Sequence, residues 1–209
     1  MSEAKIDRLM AAAIHQAIGD ITPSRLDFYE SYLRPRGWRE DAVNLAPIAA
    51  VLSFLRHEPD GTYDAVMTRA AGYAADWVYD ALPWRVRTLG RAVEPRWARL
   101  RTLGRIGRAH LAGSYRGTRA SVTARRGTLD VDILGSIFCN TRDQTSAPHC
   151  RYYLAFFERL LERDGLTVVD AAIDACRAGG GQACRIRVVT DGAAAVAPAR
   201  SSVEGDDAH

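Results

Sequence analysis

Lysine is nearly missing from this chain of 209 residues: Lys5 stands alone against 27 arginines. The overall balance is still close, with 28 basic and 25 acidic side chains giving a net charge of +3, too small to imply a nucleic-acid partner. Long apolar runs are missing too. The longest, LAPIAAVLSFL from Leu45 to Leu55, falls well short of the roughly 20 residues a bilayer span needs, so no transmembrane helix is expected. The opening MSEAKIDRLMAAAIHQAIGD carries Glu3, Asp7, His15 and Gln16 among its apolar residues and lacks the apolar centre of a secretory signal, so a cytoplasmic protein is expected. No G-x-G-x-x-G joins a strand to a helix and no Ser/His/Asp arrangement stands out, so neither a dinucleotide fold nor a hydrolase is indicated. Cysteine is scarce. Cys139, Cys150, Cys176 and Cys184 all lie in the last third, and a reducing cytosol disfavours reading them as disulfides, which leaves metal ligation or redox chemistry, or burial as small core hydrophobes.

Ile6, Leu9, Met10, Ala13, Ile14 and Ala17 recur at helical spacing, predicting a first amphipathic helix that Gly19 ends. Thr22-Pro23 reads as an N-cap with proline at the first helical position, and Pro47 as the opening of a third helix. A fourth follows the HEPDGT turn, so the first 80 residues read as all helical. After Gly113 the period changes to two. ASVTARRGTLDVDILGSIFC predicts two strands turning near Arg126-Gly127, and APHCRYYLAFFERLLERDG predicts a helix with Pro148 in its first turn. LTVVDAAIDAC and ACRIRVV predict two more strands joined by a glycine loop. The residues after Asp191 read as a disordered tail.

Between Trp84 and Arg126 the chain holds twelve arginines and one acid, Glu94, interleaved with Trp84, Leu89, Val93, Trp97, Leu100, Leu103 and Leu111. Three readings fit this composition: a solvated helix face, a cradle for an anionic ligand, or attachment to an acidic membrane surface.

CRAGGGQAC, residues 176 to 184, places two thiols at the ends of a glycine-rich hairpin, where glycine lets the backbone turn and the thiols converge. Cys150 falls at the start of a helix, where the helix dipole favours a thiolate, and Cys139 at the end of a strand can supply a fourth sulfur. A cysteine opening an aromatic helix (PHCRYYLAFFERLL), then a strand, then DACRAGGGQACRIRV resembles the 4-vinyl reductase domain family over roughly residues 115 to 190. The resemblance implies a fold shared with haem- and nitric-oxide-linked ligand-binding modules, Golgi transport particle subunits and phenol-sensor domains. It also implies zinc held by Cys150, Cys176 and Cys184. The fourth ligand is Cys139, or Asp174 on the strand before Cys176, since sensor-type members use an acid nearby and Ile173 occupies the closest equivalent position.

The expected fold class is α+β: N-terminal helices packed on an antiparallel sheet of about four strands interrupted by a helix, with a cysteine zinc clip. One domain is expected over residues 1–190, with a helical part at 1–113 and a cysteine-bearing part at 114–190, followed by the tail at 191–209. The resemblance implies a zinc-stabilised binding or accessory protein for a hydrophobic small molecule, in first place a tetrapyrrole intermediate of bacteriochlorophyll synthesis. A small-aromatic sensor or adaptor and a true vinyl reductase of chlorophyllide stand as alternatives, and no catalytic motif supports the last. Candidate ligand contacts are Trp84 and Trp97 for a flat macrocycle, Arg101 and Arg105 for carboxylates, and His110 for a central metal. A homodimer, with contact to a membrane surface or a biosynthetic enzyme, completes the expectations.

Overall fold

The computed structural model describes residues 4–34, 42–59, 61–140 and 147–191. The tail expected at 191–209 lies outside them apart from Asp191. The chain is α+β, as expected, with seven α-helices among the described residues. A short strand β1 (Lys5–Asp7) leads into α1 (Arg8–Ile21), then α2 (Leu26–Leu33), β2 (Ala42–Asn44), α3 (Leu45–Arg56) and α4 (Thr62–Asp80). A π-helical turn (Arg85–Leu89) and the short α5 (Gly90–Val93) precede α6 (Arg96–Ser114). The hairpin β3 (Arg119–Arg125) and β4 (Thr128–Leu134) follows, then α7 (Arg151–Arg163), β5 (Val168–Ala175) and β6 (Cys184–Thr190).

The first 80 residues are therefore not all helical, because β1 and β2 pair antiparallel with Ile6 opposite Val43. Three-residue strands are too short to show alternation in sequence. Gly19 does not end α1, which continues to Ile21; Thr22 and Pro23 do open a 3-10 turn (Pro23–Arg25) ahead of α2, but the Thr22 hydroxyl donates back to the Ile18 carbonyl and makes no cap bond. α3 starts two residues before Pro47, and Pro148 lies outside α7, whose N-cap is Cys150.

β3, β4, β6 and β5 form one antiparallel sheet in that order. Leu129, Val131 and Ile133 of β4, with Ile186 and Val188 of β6, point inward. Asp130, Asp132, Arg185 and Arg187 alternate with them on the outer face, the period-two pattern of a sheet buried on one side. α7 lies between the sheet and α4, and α1 packs on the far side of α4. Its N-terminal half is buried all round (Tyr152, Tyr153, Leu154, Phe156, Phe157), as a helix contacted from both sides requires. α6 lies on β3 and reaches α7 at Gly107, where a methyl group would run into the Phe157 ring. One continuous apolar cluster runs from Ile6 to Val188.

Candidate metal centre and ligand pocket

The sheet and α7 deliver four thiols to one point. Cys139 follows β4, Cys150 caps α7, Cys176 follows β5, and Cys184 opens β6 directly opposite Ile133. The Cys139 sulfur lies 3.3 Å from that of Cys184 and 3.5 Å from that of Cys176, and all four sulfurs fall within 4.8 Å of one another. These separations are far longer than a disulfide's S–S length of about 2.05 Å and close to the edge of about 3.8 Å that a tetrahedron with metal–sulfur bonds near 2.3 Å would have.

The surrounding backbone is fixed independently of any ion. The Cys176 carbonyl accepts from the N–H groups of Gly179 and Gly181, both at 3.1 Å, and Gly180 between them takes a φ of 90°, which a side chain would resist. The glycine loop is thus a compact turn that aims Cys176 back at Cys184. Arg56 of α3 donates to the Phe138 carbonyl at 2.8 Å, and the Tyr63 hydroxyl of α4 donates to the His149 carbonyl at 2.9 Å. Two helices therefore pin the residues just before Cys139 and Cys150.

Contact with the Cys139 and Cys150 sulfurs holds the Cys184 thiol below its ordinary value, and the Arg177 backbone N–H donates to the same sulfur. Contact with Cys139 and Cys184 pushes Cys150 well up. The cluster shares its protons in this way because thiolates 3.5 Å apart repel by roughly 5 kcal/mol per pair at an effective dielectric of 20. Four ionised sulfurs require a cation among them. The donor set, closed and largely buried, fits a soft or borderline divalent metal. Asp174 is not part of the cluster. Its carboxylate lies on the outer sheet face, paired with Arg187 at 3.3 Å.

The candidate ligand residues are not gathered in one place. Trp84, just before the π-helical turn, and Trp97 on α6 are exposed. The Arg101 guanidinium sits over the Trp97 ring at 5.3 Å, and Arg101 and Arg105 line an open groove with Arg125 of β3. His110 lies nine residues beyond Arg101, which at about 100° per residue puts it on the opposite side of α6. A single flat ligand cannot meet both.

His110 instead faces α7, where its imidazole stacks on Phe156 at 4.6 Å and its Nε2 lies 3.5 Å from the Tyr152 hydroxyl. Burial pushes its pKa down to about 4, so the ring is neutral at pH 7. Tyr152 is fully buried and stacks on Phe138, the neighbour of Cys139, so an aromatic column connects His110 to the cysteine cluster. Sequence spacing singled out neither Tyr152 nor Phe156, although the aromatic density of PHCRYYLAFFERLL was the available signal.

No protein-family model matches the chain, and no curated protein matches it either. Solved structures do. The phenol-responsive sensory domain of the transcription activator PoxR, with phenol, aligns at a TM-score of 0.52 and 12% identity over 71% of this chain and 75% of that one. The chain shares that fold. A trafficking protein particle complex subunit 3 from Naegleria fowleri, covalently bound to palmitic acid, aligns at 0.48 and 11% identity over 68% and 92% of the two chains. An oxygen-binding H-NOX domain related to soluble guanylate cyclases aligns at 0.45 and 11% over 86% and 92%. No helix among the described residues is long and apolar enough to cross a membrane.

Proposed function

We propose that the protein is a small-molecule-binding module of the sensor type, clipped by a structural zinc on Cys139, Cys150, Cys176 and Cys184. The observation that carries the ligand reading is the neutral His110 imidazole set against the buried Tyr152 hydroxyl, walled by Phe156 and Phe138. A polar pair at the limit of hydrogen bonding among directly stacked aromatic rings is chemically matched to a small aromatic molecule with one hydroxyl, which has to part the rings to bond both groups. Phenol bound to the PoxR domain, whose fold the chain shares, agrees with this ligand class. A tetrapyrrole, the larger ligand implied by the likeness to 4-vinyl reductase domains, would need contacts that α6 presents on opposite sides. The column Phe156, Tyr152, Phe138 and Cys139 gives a bound ligand a direct packed route to the metal clip.

Calorimetric titration with phenol, and separately with a free-base porphyrin, tests the proposal. Saturable phenol binding that His110→Ala weakens at least tenfold, in protein that keeps its metal, is the expected result. Porphyrin binding without phenol binding would reassign the ligand, and binding of neither would remove the sensor reading.

A further inference from the structure

Among the described residues, three of the four most exposed large apolar side chains fall in one short stretch: Val93 (70% exposed), Trp84 (61%) and Trp97 (59%), with Leu89 also exposed between them. Water-facing indoles and aliphatic side chains this concentrated, in the π-helical turn, α5 and the start of α6, are unusual for a surface with no further role. Immediately along α6 from Trp97, Arg101, Arg105 and Arg108 recur at helical spacing on the same face. Arg125 lines the groove beside them, and Arg126 borders the hollow next to Trp97. Among the described residues no acidic one lines either depression.

Arginine pairing differs sharply across the molecule. On the outer sheet face Arg185 meets Asp132 and Arg187 meets Asp170 and Asp174, while on α7 Arg159 and Arg163 meet Asp76. Within the arginine-rich stretch, Arg87, Arg96 and Arg99 reach acids, and Arg99 turns inward. Arg101, Arg105, Arg108, Arg125 and Arg126 have no ion-pair partner among the described residues. Five arginines without an ion-pair partner among the described residues thus lie in the same region as Trp84 and Trp97, the most exposed indoles among those residues.

From this we infer that the surface formed by residues 84–108 and the β3–β4 turn docks on an anionic lipid bilayer. The apolar side chains choose this partner over a nucleic acid. Leu89 and Val93 gain nothing against a phosphodiester backbone, whereas at a bilayer they leave water at the headgroup boundary together with Trp84 and Trp97. The arginines then bond lipid phosphates in bidentate fashion while their stems cover apolar surface. The protein would lie on the membrane without crossing it. Arg101, Arg105 and Arg108 lie on the side of α6 away from His110, so docking and ligand binding stand or fall separately.

Sedimentation of the full chain with phosphatidylcholine vesicles, with and without phosphatidylserine, tests the inference, alongside titration with duplex DNA and single-stranded RNA. The chain should sediment only with phosphatidylserine present, lose association as salt is raised, and show a blue-shifted tryptophan emission that Trp84→Phe with Trp97→Phe abolishes. Arg101→Gln and Arg105→Gln should each weaken association about fivefold with unchanged melting temperature. Val93→Ser should weaken it without altering the salt dependence. Equal sedimentation with neutral vesicles, no sedimentation with either, or nucleic-acid binding lost in the arginine variants while vesicles are ignored would each overturn it.

Discussion

Arg99 shows how far one guanidinium can depart from its neighbours in sequence. It stands between the exposed Trp97 and Arg101, yet its side chain is 3% exposed, and it meets an Asp164 carboxylate that is 1% exposed. Its Nε donates to Asp164 at 2.9 Å, its Nη1 donates to the Val86 carbonyl at 2.8 Å, and the Tyr79 hydroxyl donates to the same carboxylate at 3.1 Å. Removing one partner strands a buried charge, so Asp164→Ala is expected to cost about 3–5 kcal/mol in urea unfolding, while Arg99→Met combined with Asp164→Leu recovers most of the loss. Sequence spacing could not separate Arg99 from Arg101, because only the packing of α6 against the 84–93 turn and the end of α7 decides which one points inward. His110 gives a second prediction at this scale. Its folded pKa of about 4 lies below the unfolded value near 6.5, so between those pH values the unfolded chain holds one proton more. Stability from this group is whole above about pH 6.5 and falls toward pH 4, by at most roughly 1.4 kcal/mol per pH unit. The groups facing the ring are Phe156 and Tyr152 of α7, with the Asp7 charge reaching Tyr152. The difference between the unfolding free energies of wild type and His110→Phe across that range should carry this slope and isolate it from any acid release of metal.

Elements were legible in sequence where a period ran long enough to be counted. The β3–β4 hairpin turns at Arg126-Gly127 as its alternation predicts, and β5 and β6 flank the glycine loop. β1 and β2 escaped because each is short and their pairing joins Ile6 to Val43 across α1 and α2. The stripe of α7 was legible too, but Tyr152 and Phe156 lie off it and are covered by Phe138 and by His110 of α6, from directions that no local pattern encodes. The approach of α6 to α7 rests on Gly107, and it can be tested there. A methyl group at 107 would run into the Phe157 ring, so overpacking of about 1–3 kcal/mol should exceed the gain of about 1 kcal/mol in helix propensity. Gly107→Ala is therefore expected to destabilise the protein in thermal unfolding, and Phe157→Leu should remove most of that penalty when the two are combined. Equal penalties in both backgrounds would show that the ring is not what Gly107 accommodates.

At the scale of the whole molecule, the cysteines join parts that the chain connects only at long range. Their types and order were readable, while the fourth position stayed open between Cys139 and Asp174 until the fold brought the Cys139 sulfur into the cluster and left Asp174 on the outer sheet face. The support given to Cys139 by Arg56 and to Cys150 by Tyr63 was not, since α3 and α4 lie far away in sequence. A metal at this point would tie the end of β4, the start of α7, the end of β5 and the start of β6 into one knot, and its binding energy would become folding energy. Purified protein is expected to carry about one zinc per chain, and Cys176→Ser to lose it. Asp174→Ala should keep the metal and lose only an exposed ion pair, worth at most about 1 kcal/mol. If stripping the ion with a chelator removes even about 4 kcal/mol, the melting temperature should drop by roughly 8–16 °C for a chain of this size. The loss should be largest at the sheet end nearest the thiols, so hydrogen exchange at Cys184 and Ile186 should accelerate before exchange in α1, which packs on the far side of α4 from α7. Metal-free protein whose four thiols titrate freely at an unchanged melting temperature would show instead that the cysteines are core packing, held together by the same backbone bonds that now aim them at one another.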